Sequence, residues 1–562
     1  MAKSKHRDTS RRYKDRKKYT DPVSRSGTQD GSGLHGQELS RAAADAVKAR
    51  KKRQAEKITV SEMLRRRDVK GRQNAGFLSG DNDNFYRDTQ KKEAKKHERF
   101  FSYRPNTLLI GAAGFFLVIL LGAILLSLPI ANASGHRLNF LDALFTATTS
   151  ACVTGLVTVT PATQFTIFGK VVILILIQIG GWGVIVCTVG LMIILRRKIM
   201  LNTRILVSDY FGMDTMSGVV RMLIYVVKAS LVVEGLGALG YSFIFLPKYG
   251  VLCGIWYSIF HSISAFCNAG VDLLGDSSLM NYSGNVLMNI VTMTLIVVGG
   301  LGFAVWKDLT AALKFLLRKG NRSFSERRRL VRRDMLLQTK LVLPMTVVLI
   351  CFGAVLFYLI ERENPATFGQ MGEGQKIMAS IFQSVTTRTA GFAMVSQKAL
   401  TDGSKFISII LMLIGGSPAG TAGGIKTVTI AVLFATIWSI LQGHSDTECF
   451  QRKISPEIVR TAIAVVTMCL FLFISGTVLL MVMEPKLAAI DAMYEIASAV
   501  ATVGLTADVT GTLRASSKVL IIILMYFGRL GPVTIPMLIA GSIGKGKKSD
   551  KRTLPEEHIV VG

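Results

Sequence analysis

Four short stretches carry the residue types in this chain that could do chemistry. They read T-T-S-A-C-V-T-G-L at Thr148–Leu156, S-I-S-A-F-C-N-A-G-V-D at Ser262–Asp272, S-V-T-T-R-T-A-G-F at Ser384–Phe392 and S-A-V-A-T-V-G-L at Ser498–Leu505. Each is small and polar, carries a glycine near its end, and lies between strongly apolar runs. Irregular backbone at membrane depth is tolerated only where protein buries it or water reaches it. Glycine admits positive φ and lets the chain turn its carbonyls sideways. Carbonyls aimed at a common axis can replace the hydration shell of a cation. The candidate coordinating residues are therefore Val153, Thr154 and Gly155; Asn268, Ala269 and Gly270; Thr389, Ala390 and Gly391; and Thr502, Val503 and Gly504.

The stretches recur at steps of 115, 121 and 113 residues between glycines, and each glycine is followed by an apolar residue. Asp142-Ala143-Leu144-Phe145 and Asp491-Ala492-Met493-Tyr494 both begin 13 residues before their glycine. A second small-residue cluster follows each one: Gly180–Gly183, Gly299–Gly302, Gly415–Pro418 and Gly528–Gly531. Internal repeats of this kind fix the architecture.

The elements that must position these stretches follow from hydropathy. Apolar runs predict spans at roughly 106–131, 165–196, 217–246, 285–318, 336–361, 404–440, 457–483 and 515–542, with short dipping helices at roughly 140–153, 253–267, 374–389 and 488–502. A crossing helix needs about 20 apolar residues. Lys/Arg clusters after the second, fourth, sixth and eighth spans, with the basic N-terminal region, place both termini in the cytoplasm. The expected fold is an all-α polytopic membrane protein: eight transmembrane helices plus four re-entrant helices around a central pore. Its divisions are a basic tail (1–104), repeats at 105–198, 199–320, 321–445 and 446–545, and a C-terminal tail (546–562).

The sixth span contains I-G-G-S-P-A-G-T-A-G-G-I-K-T at Ile414–Thr427. Glycine costs about 1 kcal/mol and proline about 3 kcal/mol against alanine inside a helix, so the helix should unwind there. Gly415, Gly416, Ser417, Pro418, Ala419, Gly420, Thr421, Ala422, Gly423 and Gly424 are the candidate gate, a loop lying across the pore. Arg529 occupies the register of Gly181, Gly300 and Gly416 in the eighth span. An arginine in a membrane usually faces a cavity and a partner; here it is expected to bind carbonyls of the 415–424 loop. Lys228 and Glu234, six apart within the third span, are expected to snorkel or pack.

Composition excludes other classes. The chain holds 67 Lys and Arg against 37 Asp and Glu, and about half of the excess lies in residues 1–100. That region reads as a solvated cytosolic tail able to lie on anionic lipid heads; its sparse aromatics argue against nucleic-acid binding. No apolar stretch near Met1 reads as a cleavable signal. The seven scattered cysteines form no C-x-x-C, which argues against a disulfide framework or zinc site. No phosphate-binding G-x-x-x-x-G-K-[ST] loop is present, and neither a carboxylate pair nor a nucleophile with a base stands out, so an integral-membrane enzyme is not expected.

V-T-G-L (153–156), F-C-N-A-G (266–270), T-T-R-T-A-G-F (386–392), T-V-G-L-T (502–506), G-G-S-P-A-G-T-A-G-G-I-K-T (415–427) and G-R-L-G-P (528–532) resemble the Trk/Ktr/HKT superfamily of potassium transporters, built of four fused M1-P-M2 repeats. The resemblance covers about 106–543. Lacking an extra pair of spans ahead of the first repeat, the chain is most similar to the membrane subunit of a Ktr system. The resemblance implies that Gly155, Gly270, Gly391 and Gly504 are filter glycines binding K⁺ through backbone carbonyls, that 415–424 is the gate, and that Arg529 is its partner. It also implies a homodimer docked on a cytosolic ring of RCK-type nucleotide-binding subunits, uptake stimulated by Na⁺, and no covalent cofactor. Serine at a filter glycine, found in some Na⁺-permeable members, is absent here, which leans to K⁺.

The expected function is K⁺ uptake across the plasma membrane through a gated, channel-like pore driven by the membrane potential, about 2.3 kcal/mol per charge per 100 mV. Each stretch has one glycine where the T-V-G-Y-G filter has two, so looser K⁺ over Na⁺ discrimination is expected. The alternative is a secondary symporter of K⁺ with Na⁺ or H⁺ working by alternating access, which broken helices also suit. Inverted repeats mark many such transporters, whereas these four copies share one orientation.

Overall fold

The computed structural model describes residues 105–183, 218–275, 277–317 and 323–531, with 186, 207 and 211 described singly. Both expected tails lie outside the described residues, as do the far ends of the second and eighth spans.

The first repeat comprises α1 (Pro105–Ser127), α2 (Phe140–Cys152) and α3 (Ile167–Trp182). The second comprises α4 (Val219–Tyr249), α5 (Val251–Cys267), α6 (Val286–Gly300) and α7 (Phe303–Leu317). The basic helix α8 (Phe324–Asp334) leads into the third: α9 (Leu337–Glu361), α10 (Glu373–Thr386), α11 (Asp402–Leu413) and α12 (Thr427–Leu441). The fourth comprises α13 (Pro456–Met483), α14 (Ala489–Ala501) and α15 (Ala515–Leu530). A two-residue antiparallel hairpin, Glu448–Cys449 with Arg452–Lys453, joins the last two repeats.

Apolar side chains fill the core and also face outward, while a set of small polar side chains is buried on the short helices. Thr148, Thr149 and Ser150 of α2 are at most 1% exposed, while Leu236, Phe243, Phe352 and Phe471 of the outer helices face outward. Burial of those hydroxyls is tolerable because they are bonded: Thr148 donates to the Leu144 carbonyl and Ser150 to that of Thr146. Of the described helices, α4, α9 and α13 are each long and apolar enough to cross a membrane alone.

Among the described residues, two spans divide into two helices each. The sixth unwinds between α11 and α12 over the glycine-rich segment, as the local cost of Gly and Pro requires. The fourth, expected over roughly 285–318 and longer than a crossing needs, is broken: α6 and α7 meet at a 103° bend around Leu301 and Gly302. The reason is tertiary. The unwound segment of the third repeat supplies the hydrogen bonds that a continuous helix would have made for itself: Ser417 N donates to Gly300 O (2.9 Å), Thr421 N to Gly299 O (3.3 Å), and Phe303 N to Ala419 O (2.9 Å). The third dipping helix is also shorter than expected. It ends at Thr386, and residues 387–390 form a turn.

Candidate functional site

The four short helices α2, α5, α10 and α14 end three to five residues before Gly155, Gly270, Gly391 and Gly504. A helix C-terminus carries roughly half a negative charge, so four such ends beside the glycine segments favour a cation between them. Residues two before each glycine, Val153, Asn268, Thr389 and Thr502, all have positive φ (56°, 60°, 71° and 52°), as do the glycines themselves (104°, 65°, 80° and 97°). Left-handed backbone at a β-branched residue such as Val153 or Thr502 costs of order 1–3 kcal/mol and persists where the surroundings over-determine it.

Those surroundings are the other repeats. A Cβ placed on Gly155 would lie 2.7 Å from the carbonyl oxygen of Ala269. On Gly270 it would lie 2.8 Å from that of Ala390, on Gly391 2.6 Å from that of Val503, and on Gly504 against that of Thr154. The four segments thus meet in a closed cycle, each glycine beside the carbonyl that precedes the glycine of the next repeat. A side chain at any of the four would force the neighbouring backbone to shift.

Hydroxyls on the short helices anchor these segments from behind. Thr149 Oγ1 accepts from Gly155 N (2.9 Å) and Ser498 Oγ from Gly504 N (3.0 Å). Ser264 Oγ donates to Val271 O (2.6 Å) and Thr386 Oγ1 to Phe392 O (2.7 Å). In sequence these four are marked only as the Ser or Thr five or six residues before each glycine. A further tie holds the third segment, where Gln383 bonds Gln397, which also accepts from Tyr494 Oη of the fourth repeat (2.8 Å).

On one side of the cycle lies a cavity of about 270 Å³, lined by the four glycines with Asp272, Asp508 and other residues that follow them. On the opposite side lies the 415–424 segment. A Cβ on Gly423 would meet Ala501 O (2.6 Å) and the Thr502 hydroxyl, just ahead of Gly504. The segment is pinned at both ends, through Gly415 N to Ile425 O (3.0 Å) and Thr427 N to Gly416 O (3.0 Å).

Three cationic side chains donate to its carbonyls. Arg529 Nη1 binds Thr421 O (2.6 Å), and the same guanidinium binds Gly180 O of the first repeat. Lys426 Nζ donates to Ala422 O (2.7 Å), and buried Arg388 reaches Gly415 O at 3.5 Å. Arg388 and Lys426 were missed in sequence, although R stands in T-T-R-T-A-G and K in G-G-I-K-T. The second small-residue clusters gain a reason too: Gly180, Gly299 and Gly528 press against the carbonyls of Ala151, Phe266 and Val500 at the ends of α2, α5 and α14. Glu234 packs inside, accepting from Gln178 Nε2 (3.0 Å), while Lys228 is exposed. Among the described residues no group of three His, Cys, Asp or Glu side chains could hold a metal.

Fold and site together define a polytopic membrane protein in which four re-entrant helices meet on one axis. The chain belongs to the TrkH family of cation transport proteins, whose family model matches residues 89–550. It is a transport protein and not an enzyme. It is 36% identical over 454 residues to the potassium/sodium uptake protein NtpJ of Enterococcus hirae, covering 80% of this chain and 96% of that one. It is 37% identical over 473 residues to Ktr system potassium uptake protein B of Bacillus subtilis, covering 84% and 99%. Among solved structures, the potassium transporter TrkH of Vibrio parahaemolyticus aligns over 76% of this chain and 85% of that one, with a TM-score of 0.58 at 17% identity, a likeness of fold.

Proposed function

We propose that this chain is the ion-translocating subunit of a Ktr-type system, taking up K⁺ across the plasma membrane through a gated, channel-like pore. The observation that carries the reading is the closed cycle of Gly155, Gly270, Gly391 and Gly504, each beside the next repeat's carbonyl. In it, Val153–Gly155, Asn268–Gly270, Thr389–Gly391 and Thr502–Gly504 are the selectivity filter, 415–424 is the gate, and Arg529 is the latch that also places a fixed positive charge near the ion path. The names of the relatives, potassium and potassium/sodium uptake proteins, support K⁺ as the cargo, with Na⁺ stimulation or permeation as the finer question. The division into repeats at 105–198, 199–320, 321–445 and 446–545, cytoplasmic termini, a homodimer, and an RCK-type ring that supplies nucleotide regulation belong to the same proposal.

The bend between α6 and α7 gives the symporter reading one observation of its own, since broken spans recur in alternating-access transporters. Flux that follows the membrane potential without a Na⁺ or H⁺ gradient separates the two. The primary test is growth of a K⁺-uptake-deficient bacterium on limiting K⁺, with the regulatory ring co-expressed and protein amounts checked. The parent is expected to rescue, Gly270→Ser to raise the K⁺ requirement, and Arg529→Ala to alter flux. Rescue indifferent to both substitutions would overturn the filter and gate assignments.

A further inference from the structure

We propose that Thr421 is a positioning residue that couples the 415–424 segment to the filter of the second repeat, so that displacement of the segment loosens ion selection as well as opening the path. The proposal rests on the reading of the glycine cycle as filter and of 415–424 as gate.

Thr421 is fully buried, and each of its three polar groups is committed to a different place. Its N–H donates to Gly299 O at the end of α6 (3.3 Å). Its carbonyl accepts from Arg529 Nη1 of the fourth repeat (2.6 Å). Its Oγ1 donates to the carbonyl of Phe266, 3.2 Å away. Phe266 stands four residues before Gly270, in the last turn of α5. The final carbonyls of a helix have no partner inside it and must be met from outside. In α5, Ser264 O and Ala265 O are met by the N–H groups of Ala269 and Asn268 (2.8 and 3.2 Å), which are filter residues. The next carbonyl, that of Phe266, is met by the Thr421 hydroxyl. One side chain of the segment therefore completes the helix end on which the second filter segment is folded.

The adjacent contacts make this a unit. Ser417 N and Thr421 N cap Gly300 and Gly299, and Ala419 O accepts from Phe303 N across the bend. When the segment withdraws, Phe266 O loses its donor together with the capping of α6. The turn Asn268–Gly270 then loses support on the side facing the segment. A residue that only held the gate shut would change how much ion passes. One that also completes the filter's foundation changes which ion passes.

The experiment uses the full chain in proteoliposomes, reading tracer Rb⁺ uptake in competition with K⁺ and Na⁺. Thr421→Val removes the hydroxyl and keeps the branching. Relative to the parent, it is expected to raise flux and to lower the K⁺ over Na⁺ ratio about fivefold, the value of one neutral hydrogen bond. Thr421→Ser keeps the donor and is expected to keep the ratio. Ser417→Ala, which removes the 3.2 Å Ser417–Thr427 hydroxyl contact away from α5, is expected to raise flux at an unchanged ratio. Because the ratio is independent of protein amount, Thr421→Ala reads the same quantity if Thr421→Val does not accumulate. Raised flux at an unchanged ratio in Thr421→Val or Thr421→Ala would overturn the coupling, as would a ratio that falls equally in Ser417→Ala. A parent without K⁺ preference, or a Gly270→Ser variant with the parent's preference, would overturn the filter reading itself and the coupling with it.

Discussion

Lys518 Nζ lies 2.8 Å from Asp142 Oδ1, an ion pair between residues 376 positions apart that joins the last repeat to the first. Lys405 and Asp491 make the equivalent pair, 2.7 Å, between the third repeat and the fourth. Each lysine is the fourth residue of its helix, α15 or α11, and each aspartate lies in the first turn of a re-entrant helix, where an acid also suits the helix dipole. Lys170 is the fourth residue of α3, yet it donates to the Ala162 carbonyl instead. Lys518→Met leaves a mostly buried Asp142 unpaired and is expected to cost about 2–3 kcal/mol, somewhat below a fully buried pair. Lys170→Met loses one hydrogen bond, about 1 kcal/mol. Thermal unfolding in detergent orders the two; equal shifts would contradict the assignment.

Thr149 and Ser498 accept from the N–H groups of Gly155 and Gly504. Thr149→Val and Ser498→Ala leave those N–H groups buried without a partner, a penalty of about 1–3 kcal/mol each. Both are expected to raise the half-saturating K⁺ concentration for uptake several-fold, with folding retained in size-exclusion profiles. Unchanged affinity would mean that these hydroxyls do not shape the proposed filter.

Arg529 spans Thr421 O and Gly180 O with one planar fork. Arg529→Gln removes the charge, and uptake at saturating K⁺ is expected to rise about tenfold, the scale of one charge-assisted hydrogen bond. Arg529→Lys keeps the charge but not the fork, so an intermediate rate is expected. Initial rates of Rb⁺ uptake per unit of protein decide between them.

Gly302 has φ of 88°, and a Cβ there would run into the Pro418 carbonyl. Gly302→Ala is expected to cost at least 1–2 kcal/mol from the left-handed backbone alone and to push the 415–424 segment off the bend. A cysteine probe at Ser417 should then react faster with a membrane-permeant thiol reagent than the same probe beside Gly302. Equal rates would separate the bend from the segment.

The parts legible in sequence are those that local physics decides. Glycine and proline at 415–424 unwind a helix wherever they stand, and the glycines at 155, 270, 391 and 504 mark positive φ by their identity. The length of the fourth span allowed a break but did not place it at Leu301-Gly302; Ser417, Ala419 and Thr421, more than a hundred residues away, supply the hydrogen bonds that hold it there. The strained Val153 and Thr502 could not be foreseen either, since β-branched residues are the last expected with left-handed backbone. Thr149 and Ser498 were visible but indistinct, because Ser and Thr in helices commonly bond their own backbone, as Ser150 does. The lysines recur in register, but their aspartates belong to the following repeat, a relation that only the closed arrangement supplies.

The cyclic arrangement also governs how the chain is made. Gly155 borders Gly270 on one side and Gly504 on the other. The first segment to leave the ribosome therefore waits for the last. Until residue 504 is in place the stretch Thr148–Gly155 has one flank open, and Asp142 has no lysine until Lys518 follows. A chain that stops before Gly504 leaves Gly155 and Gly391 without the fourth segment that borders them.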